Sequence, residues 1–159
     1  MGQEIERKFL VKNDSYKNHA EEMVEIRQGY LSSVPERNVR IRINGNKGII
    51  TVKGLGNETG VTRFEWEKEI SVEEAKALLD ICEPGKIEKK RYIVKYGEHV
   101  YEVDEFLNEN LGLVIAELEL SSEDESFEKP DWVDKEVTGE VKYYNSELLR
   151  NPYKNWKSI

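Results

Sequence analysis

Cysteine is almost missing from this chain: Cys82 is the single one in 159 residues. One thiol can neither close an internal disulfide nor build a cysteine-based zinc site. Long hydrophobic runs are missing as well, and the N-terminus enters a charged segment with no apolar leader. Neither export nor membrane insertion is therefore expected, and a cytoplasmic protein is. Histidine is reduced to His19 and His99, one on an expected helix and one near a hairpin tip, where surface roles are the economical reading. No Gly-x-x-x-x-Gly-Lys-Ser/Thr sequence occurs, which disfavours a P-loop nucleotide site. An excess of cations is absent too, because 32 acids face 24 Lys and Arg and leave a net charge of −8. That balance disfavours nonspecific binding to duplex nucleic acid or an anionic membrane. A small phosphate ligand stays possible if the cations gather inside.

What the chain has in abundance is charge on alternate residues. Six segments show it: Glu4-Ile5-Glu6-Arg7-Lys8, Val39-Arg40-Ile41-Arg42-Ile43, Thr51-Val52-Lys53, Phe64-Glu65-Trp66-Glu67, Lys89-Lys90-Arg91-Tyr92 and Ala116-Glu117-Leu118-Glu119-Leu120. Period two is a strand signal and puts the charges of a segment on one face of a sheet. That face can point to bulk water, as in most antiparallel sheets. Alternatively, the strands close into a barrel with the charges inside and the apolar residues outside under helices. Period alone does not choose between them.

Length predicts one domain over 1–159. Strands are expected at about 3–12, 24–32, 38–44, 48–54, 62–70, 87–96, 99–105 and 113–121, enough to close a small barrel. Turns at Asn44-Gly45-Asn46-Lys47-Gly48 and Tyr96-Gly97-Glu98 make the order largely antiparallel. One helix is well specified: Ser71 and Glu74 form a capping box, Val72, Ala75, Leu78, Leu79 and Cys82 form its stripe, and Pro84-Gly85 ends it. Shorter helical pieces are expected around 15–23, around 124–129 and from Asn145 through Leu149.

If the charged faces converge, Lys8, Arg40, Arg42, Lys53, Arg63, Lys89 and Arg91 supply forks and point charges suited to a chain of phosphates. Glu4, Glu6, Asp104, Glu117 and Glu119 would repel such a chain unless a hard cation such as Mg²⁺ or Mn²⁺ lay between. Each short motif is cheap by chance in so charged a chain, and the weight lies in their joint order.

Glu4-Ile5-Glu6-Arg7-Lys8-Phe9-Leu10-Val11, Gln28-Gly29-Tyr30-Leu31, Arg40-x-Arg42, Lys53, Glu65-x-Glu67, Lys89-x-Arg91-Tyr92, Asp104, Glu117-x-Glu119 and Glu136-Val137-Thr138-Gly139 occur here in register. In this the chain resembles the CYTH proteins, the triphosphate tunnel metalloenzymes, and most of all their short single-domain bacterial tripolyphosphatases. The resemblance implies an eight-stranded antiparallel tunnel open at both ends. It also implies metal ligands at Glu4, Glu6, Glu117, Glu119 and Asp104, and a phosphate grip at Lys8, Arg40, Arg42, Lys53, Lys89 and Arg91. Glu6, Lys8, Tyr30 and Glu119 are the catalytic candidates. Tyr30 is implied as a partner of Lys8 with a lowered pKa, or else it simply packs in its strand. Glu65 and Glu67 would orient cations. Near the C-terminus the family's acid-Lys-Arg-Tyr is replaced by Glu140-Val141-Lys142-Tyr143, so Lys142 is the remaining candidate there for a phosphate contact.

The expected activity is metal-dependent hydrolysis of inorganic triphosphate, with ATP and other nucleoside triphosphates as less selective substrates. An adenylate cyclase on the same framework is the first rival, since it needs the nucleoside positioned for internal attack. A polyphosphate-binding protein without turnover is the second.

Overall fold

In the computed structural model, which describes residues 2–59 and 61–156, the alternating segments all become strands. In chain order the elements are β1 (Gly2–Val11), β2 (Ala20–Ser32), β3 (Asn38–Asn44), β4 (Lys47–Gly56), β5 (Thr62–Ile70), α1 (Val72–Asp80), β6 (Ile87–Tyr96), β7 (His99–Phe106), β8 (Val114–Glu119), β9 (Val133–Glu136) and α2 (Asn145–Leu148). Sheet order is β5-β4-β3-β2-β6-β7-β8-β1-β9, and β5 also pairs with β1. That extra pairing closes eight antiparallel strands into a barrel. Its register sets Glu4 beside Arg63 and Ile5 beside Thr62.

β1 changes partner along its length. Gly2 to Ile5 bond to β5, while Phe9 to Val11 bond to β9 on the same side. The Glu136-Val137-Thr138 stretch fixes the changeover. Lys8 N–H donates to Thr138 Oγ1 at 2.9 Å, and Val137 N–H donates to the Lys8 carbonyl at 2.8 Å. Thr138 in turn donates to Glu136, which Arg7 grips with both guanidinium arms at 2.6 and 2.9 Å. The motif is a clamp on the outside of the strand that carries Glu4, Glu6 and Lys8.

Helix α1 begins as the sequence predicts, with the reciprocal Ser71–Glu74 capping box present. Its Ala75 and Leu79 bury against Ile41 and Ile43 on the outer face of β3. A Cβ on Gly48 would lie 2.7 Å from the Ser71 carbonyl, so glycine there lets the helix start seat on β4. A second core, with Phe9, Tyr16, Val103, Leu118 and Trp132, covers the outside of β6, β7, β8 and β1. The hydrophobic core therefore lies outside the barrel wall, the inverted arrangement that frees the lumen for charge. The cover is incomplete: Phe64 and Trp66 on the outside of β5 are 42% and 36% exposed.

Three expectations are corrected. The segment 15–23 holds only a 3-10 turn, Ser15–Asn18, because β2 already begins at Ala20 and finds its partner in Val94 of β6. No helix forms at 124–129. Glu125 takes the Ser121 N–H and His99 instead, Phe127 packs edge-on against Phe9, and Pro130 disfavours helix in the residue before it. The four-residue β9 was not foreseen, since Val-Asp-Lys-Glu is too short and charged to stand out.

Candidate active site

Inside the barrel a chamber of about 280 Å³ is lined by Glu4, Glu6, Lys8, Tyr30, Arg40, Arg42, Lys53, Arg63, Glu65, Glu67, Lys89, Arg91, Glu117 and Glu119. Twelve of the fourteen catalytic, substrate-binding and metal candidates named above are thus brought together by the closed sheet, Asp104 and Lys142 being the two outside the lining. Four strand positions that were not singled out join them, Asn38, Asn44, Ile49 and Glu102, together with Tyr144, Asn145 and Ser146 from the C-terminal segment. Their common signal was phase. Asn38 and Asn44 continue the Arg40-x-Arg42 alternation, and Glu102 continues that of Asp104.

The cations divide by partner. Lys53 Nζ lies 2.8 Å from Glu4, Arg63 lies 3.4 Å from Glu4, and Lys8 lies 3.7 Å from Glu117. Arg91 forks onto Asp104 at 2.7 and 2.9 Å and reaches Glu117 at 3.4 Å. Lys89, 1% exposed, bonds Asp104 at 2.8 Å and Asn145 Oδ1 at 2.9 Å. Arg42 instead donates Nε–H to the amide oxygen of buried Gln28 at 2.9 Å. Arg40 reaches Thr51 at 3.2 Å, and its buried Nε has no acceptor.

Burial and partner charge set the proton affinities. Burial would raise Glu117, but Lys8 and Arg91 outweigh it and hold the carboxyl well below the usual range. Burial raises Glu6 to about 7, with Glu117 and Glu4 adding to the effect. Glu65 is pushed to about 7 by burial and then by Glu4. Burial pulls Lys89 down to about 7 although Asp104 opposes it. Burial lowers Arg42, and neighbouring Arg40 lowers it further.

Three candidates stand apart from the rest. Asp104, 2% exposed, is bonded by Arg91 and Lys89 and does not line the chamber. Lys142 lies outside the wall, over the Trp156 ring at 4.7 Å, because the preceding 3-10 turn buries Tyr143 and leaves Lys142 exposed. Burial raises the Tyr30 phenol even though Arg40, Arg42 and Lys8 oppose it, which disfavours the low-pKa role; Gln28 Nε2–H donates to its oxygen at 3.3 Å. Glu65 lies 3.7 Å from Lys53, whereas Glu67 meets no cation among the described residues and accepts from Thr51 Oγ1 at 3.0 Å.

The CYTH domain pattern matches residues 2–150. This chain belongs to the CYTH family. It is 50% identical over 158 residues to an inorganic triphosphatase of Acetivibrio thermocellus, covering 99% of each chain. It is 34% identical to an inorganic triphosphatase of Nitrosomonas europaea, covering 91% of this chain and 95% of that one. A crystal structure of an inorganic triphosphatase superposes with a TM-score of 0.63 at 34% identity, covering 91% of this chain and 96% of the other. An adenylyl cyclase-like protein from Hippeastrum, described as having a dominant triphosphatase activity, shares the fold at a TM-score of 0.59 and 14% identity, covering 75% and 80%.

Proposed function

We propose that this CYTH chain is a single-domain hydrolase of inorganic triphosphate that also accepts ATP and other nucleoside triphosphates, working in the cytoplasm. The observation that carries the reading is the pair of guanidiniums, Arg40 and Arg42, that have no carboxylate partner among the described residues and face a chamber whose other cations are already matched to acids. A bound phosphate chain supplies the missing negative charge. Half of the charged lining residues are acidic, and Glu4, Glu6, Glu117 and Glu119 offer oxygen donors alone, which suit Mg²⁺ or Mn²⁺. Among the described residues no three acids form a ready metal cage. A hard cation would be held by one or two of these carboxylates, with phosphate oxygens and water as its other ligands. Once bound, it would offset phosphate charge and make water more acidic.

The residues divide the work. Arg40, Arg42, Lys8 and Lys53 bind and orient the phosphate oxygens, while Asp104 holds Arg91 and Lys89 at the wall. A water oxygen bonds to the terminal phosphorus, the bridging P–O bond breaks, and the leaving diphosphate keeps the electron pair. Glu119, exposed and without an ion pair among the described residues, accepts the water's proton. The cationic wall stabilises charge on the leaving group.

The test is product formation from inorganic triphosphate and, separately, ATP, with Mg²⁺, Mn²⁺ or EDTA. Phosphate release that needs metal and is lost in Glu119→Gln is the expected result. Cyclic AMP from ATP would make the chain a cyclase, and binding without any product would make it a storage protein.

A further inference from the structure

The two arginines of β3 are each held from the directly opposite position of a neighbouring strand, and each holder is uncharged. Gln28 on β2 stands opposite Arg42, and Thr51 on β4 stands opposite Arg40. Both holders are fully buried, and neither lines the chamber. The same cross-strand placement on β6 and β7 sets Arg91 against a carboxylate, Asp104, with two hydrogen bonds of 2.7 and 2.9 Å. An arginine faced by a carboxylate is neutralised in place, whereas one faced by an amide or a hydroxyl is held and keeps its charge.

Donor and acceptor capacity explains why these residue types fit. Arg42 Nε–H can only donate, so the Gln28 oxygen must face it, at 2.9 Å. Gln28 Nε2 then donates to the Tyr30 hydroxyl at 3.3 Å and to Asn145 Oδ1 at 3.1 Å. An ionised glutamate could keep the bond to Arg42, but it has no N–H for Asn145 and would press a buried negative charge against the guanidinium. Among the described residues Arg42 makes this one side-chain hydrogen bond and no ion pair, which leaves its terminal nitrogens to the chamber. Thr51 treats Arg40 in the same way. Its hydroxyl accepts from Arg40 at 3.2 Å and donates to Glu67 at 3.0 Å, so the acid is kept one hydroxyl away from the guanidinium.

We propose that Gln28 and Thr51 are positioning residues that set the phosphate affinity of the site: each aims one arginine of β3 into the chamber, and their neutrality leaves both guanidinium charges for the substrate. The inference rests on the hydrolase reading above and names what tunes substrate binding at that site. Neither residue touches the substrate; each acts through its arginine. A phosphate approaching β3 meets charge that no carboxylate holds, whereas one approaching Arg91 competes with Asp104.

The test compares KM and kcat for inorganic triphosphate, with whichever of Mg²⁺ or Mn²⁺ supports turnover, and thermal unfolding of the same proteins. Gln28→Glu gives Arg42 a carboxylate partner and should raise KM about 10-fold or more, with a smaller change in kcat and no matching loss of melting temperature. Gln28→Met removes the hold without adding charge, and its KM should rise less. A residue that only supported the fold would give the opposite order, because glutamate keeps the bond to Arg42 and methionine loses it. Thr51→Val should raise KM, and Thr51→Ser, which retains the hydroxyl, should keep the wild-type value. A wild-type KM in Gln28→Glu, a higher KM in Gln28→Met than in Gln28→Glu, or a wild-type KM in Thr51→Val would each overturn the positioning role, while turnover by the wild type would leave the hydrolase intact. A wild type that does not cleave triphosphate would overturn the hydrolase reading and the positioning role with it.

Discussion

Across the chamber, the lining of β2 and β3 offers Tyr30, Asn38, Arg40, Arg42 and Asn44 without one carboxylate, whereas the arc from β4 through β5, β1, β8 and β7 to β6 sets nearly every cation against an acid. The total charge of the lining hides this division. Ion pairing on the arc fixes Lys53, Lys8, Arg63 and Arg91 in place and meets much of their electrostatic demand before substrate arrives. On β3 the demand is unmet, since Arg42 has only an amide oxygen and Arg40 Nε has nothing. The two regions thus separate tasks that the sequence lists together: one wall holds a balanced network of acids and cations, and the other waits for an anion.

The comparison can be broken at several points. The largest effect is expected on the arc at β8, where Glu119→Gln removes the proposed proton acceptor; turnover should fall by ~10³-fold with an unchanged melting profile. Next comes the buried network. Asp104→Asn leaves Arg91 and Lys89 without their charge partner, and denaturant unfolding should show a loss of about 3 kcal/mol. On the unpaired wall the cost should appear in binding. Arg42→Ala should raise the KM for triphosphate by a factor matching about 2 kcal/mol with little change in kcat, whereas equal losses in stability and KM would erase the distinction between the walls.

The smallest effect lies outside the chamber, at Glu136. Its hydrogen bonds from Arg7 and then Thr138 hold the carboxyl below its ordinary value. A lowered folded-state pKa stabilises the fold above the unfolded carboxyl's value of about 4.3, and the benefit disappears as pH falls through the lower folded value. Glu136→Gln should therefore cost under ~1 kcal/mol at neutral pH, and the gap from wild type should close on acidification below about 4. A gap that persisted there would mean that packing, with Arg7 stacked on Phe127 at 5.1 Å, matters more than charge.

Much of the lumen was legible because strand period assigns a side chain to a face before any neighbour is known. Every phase reading from Glu4 to Glu119 holds, and the α1 capping box forms as written. Asp104 has the expected phase, but which cation it meets depends on register: it faces Arg91 across the β6–β7 pair. Lys142 failed for a related reason, since a 3-10 turn has no two-fold alternation to extrapolate. Tyr144 carried no warning at all. It is one of eight tyrosines, and its place follows from Tyr143 and Leu148 anchoring on either side.

The amino-acid sequence by itself determined the strands, the polarity of their two faces, the antiparallel hairpins and the family, because these follow from local period, turn chemistry and the joint order of short motifs. Tertiary structure alone decided that β5 closes onto β1, which acid meets which cation, and that residues 144–146 reach the lumen. Each of these depends on contacts between segments far apart in the chain, where side-chain reach and competition for a partner select the outcome and local propensity has no say.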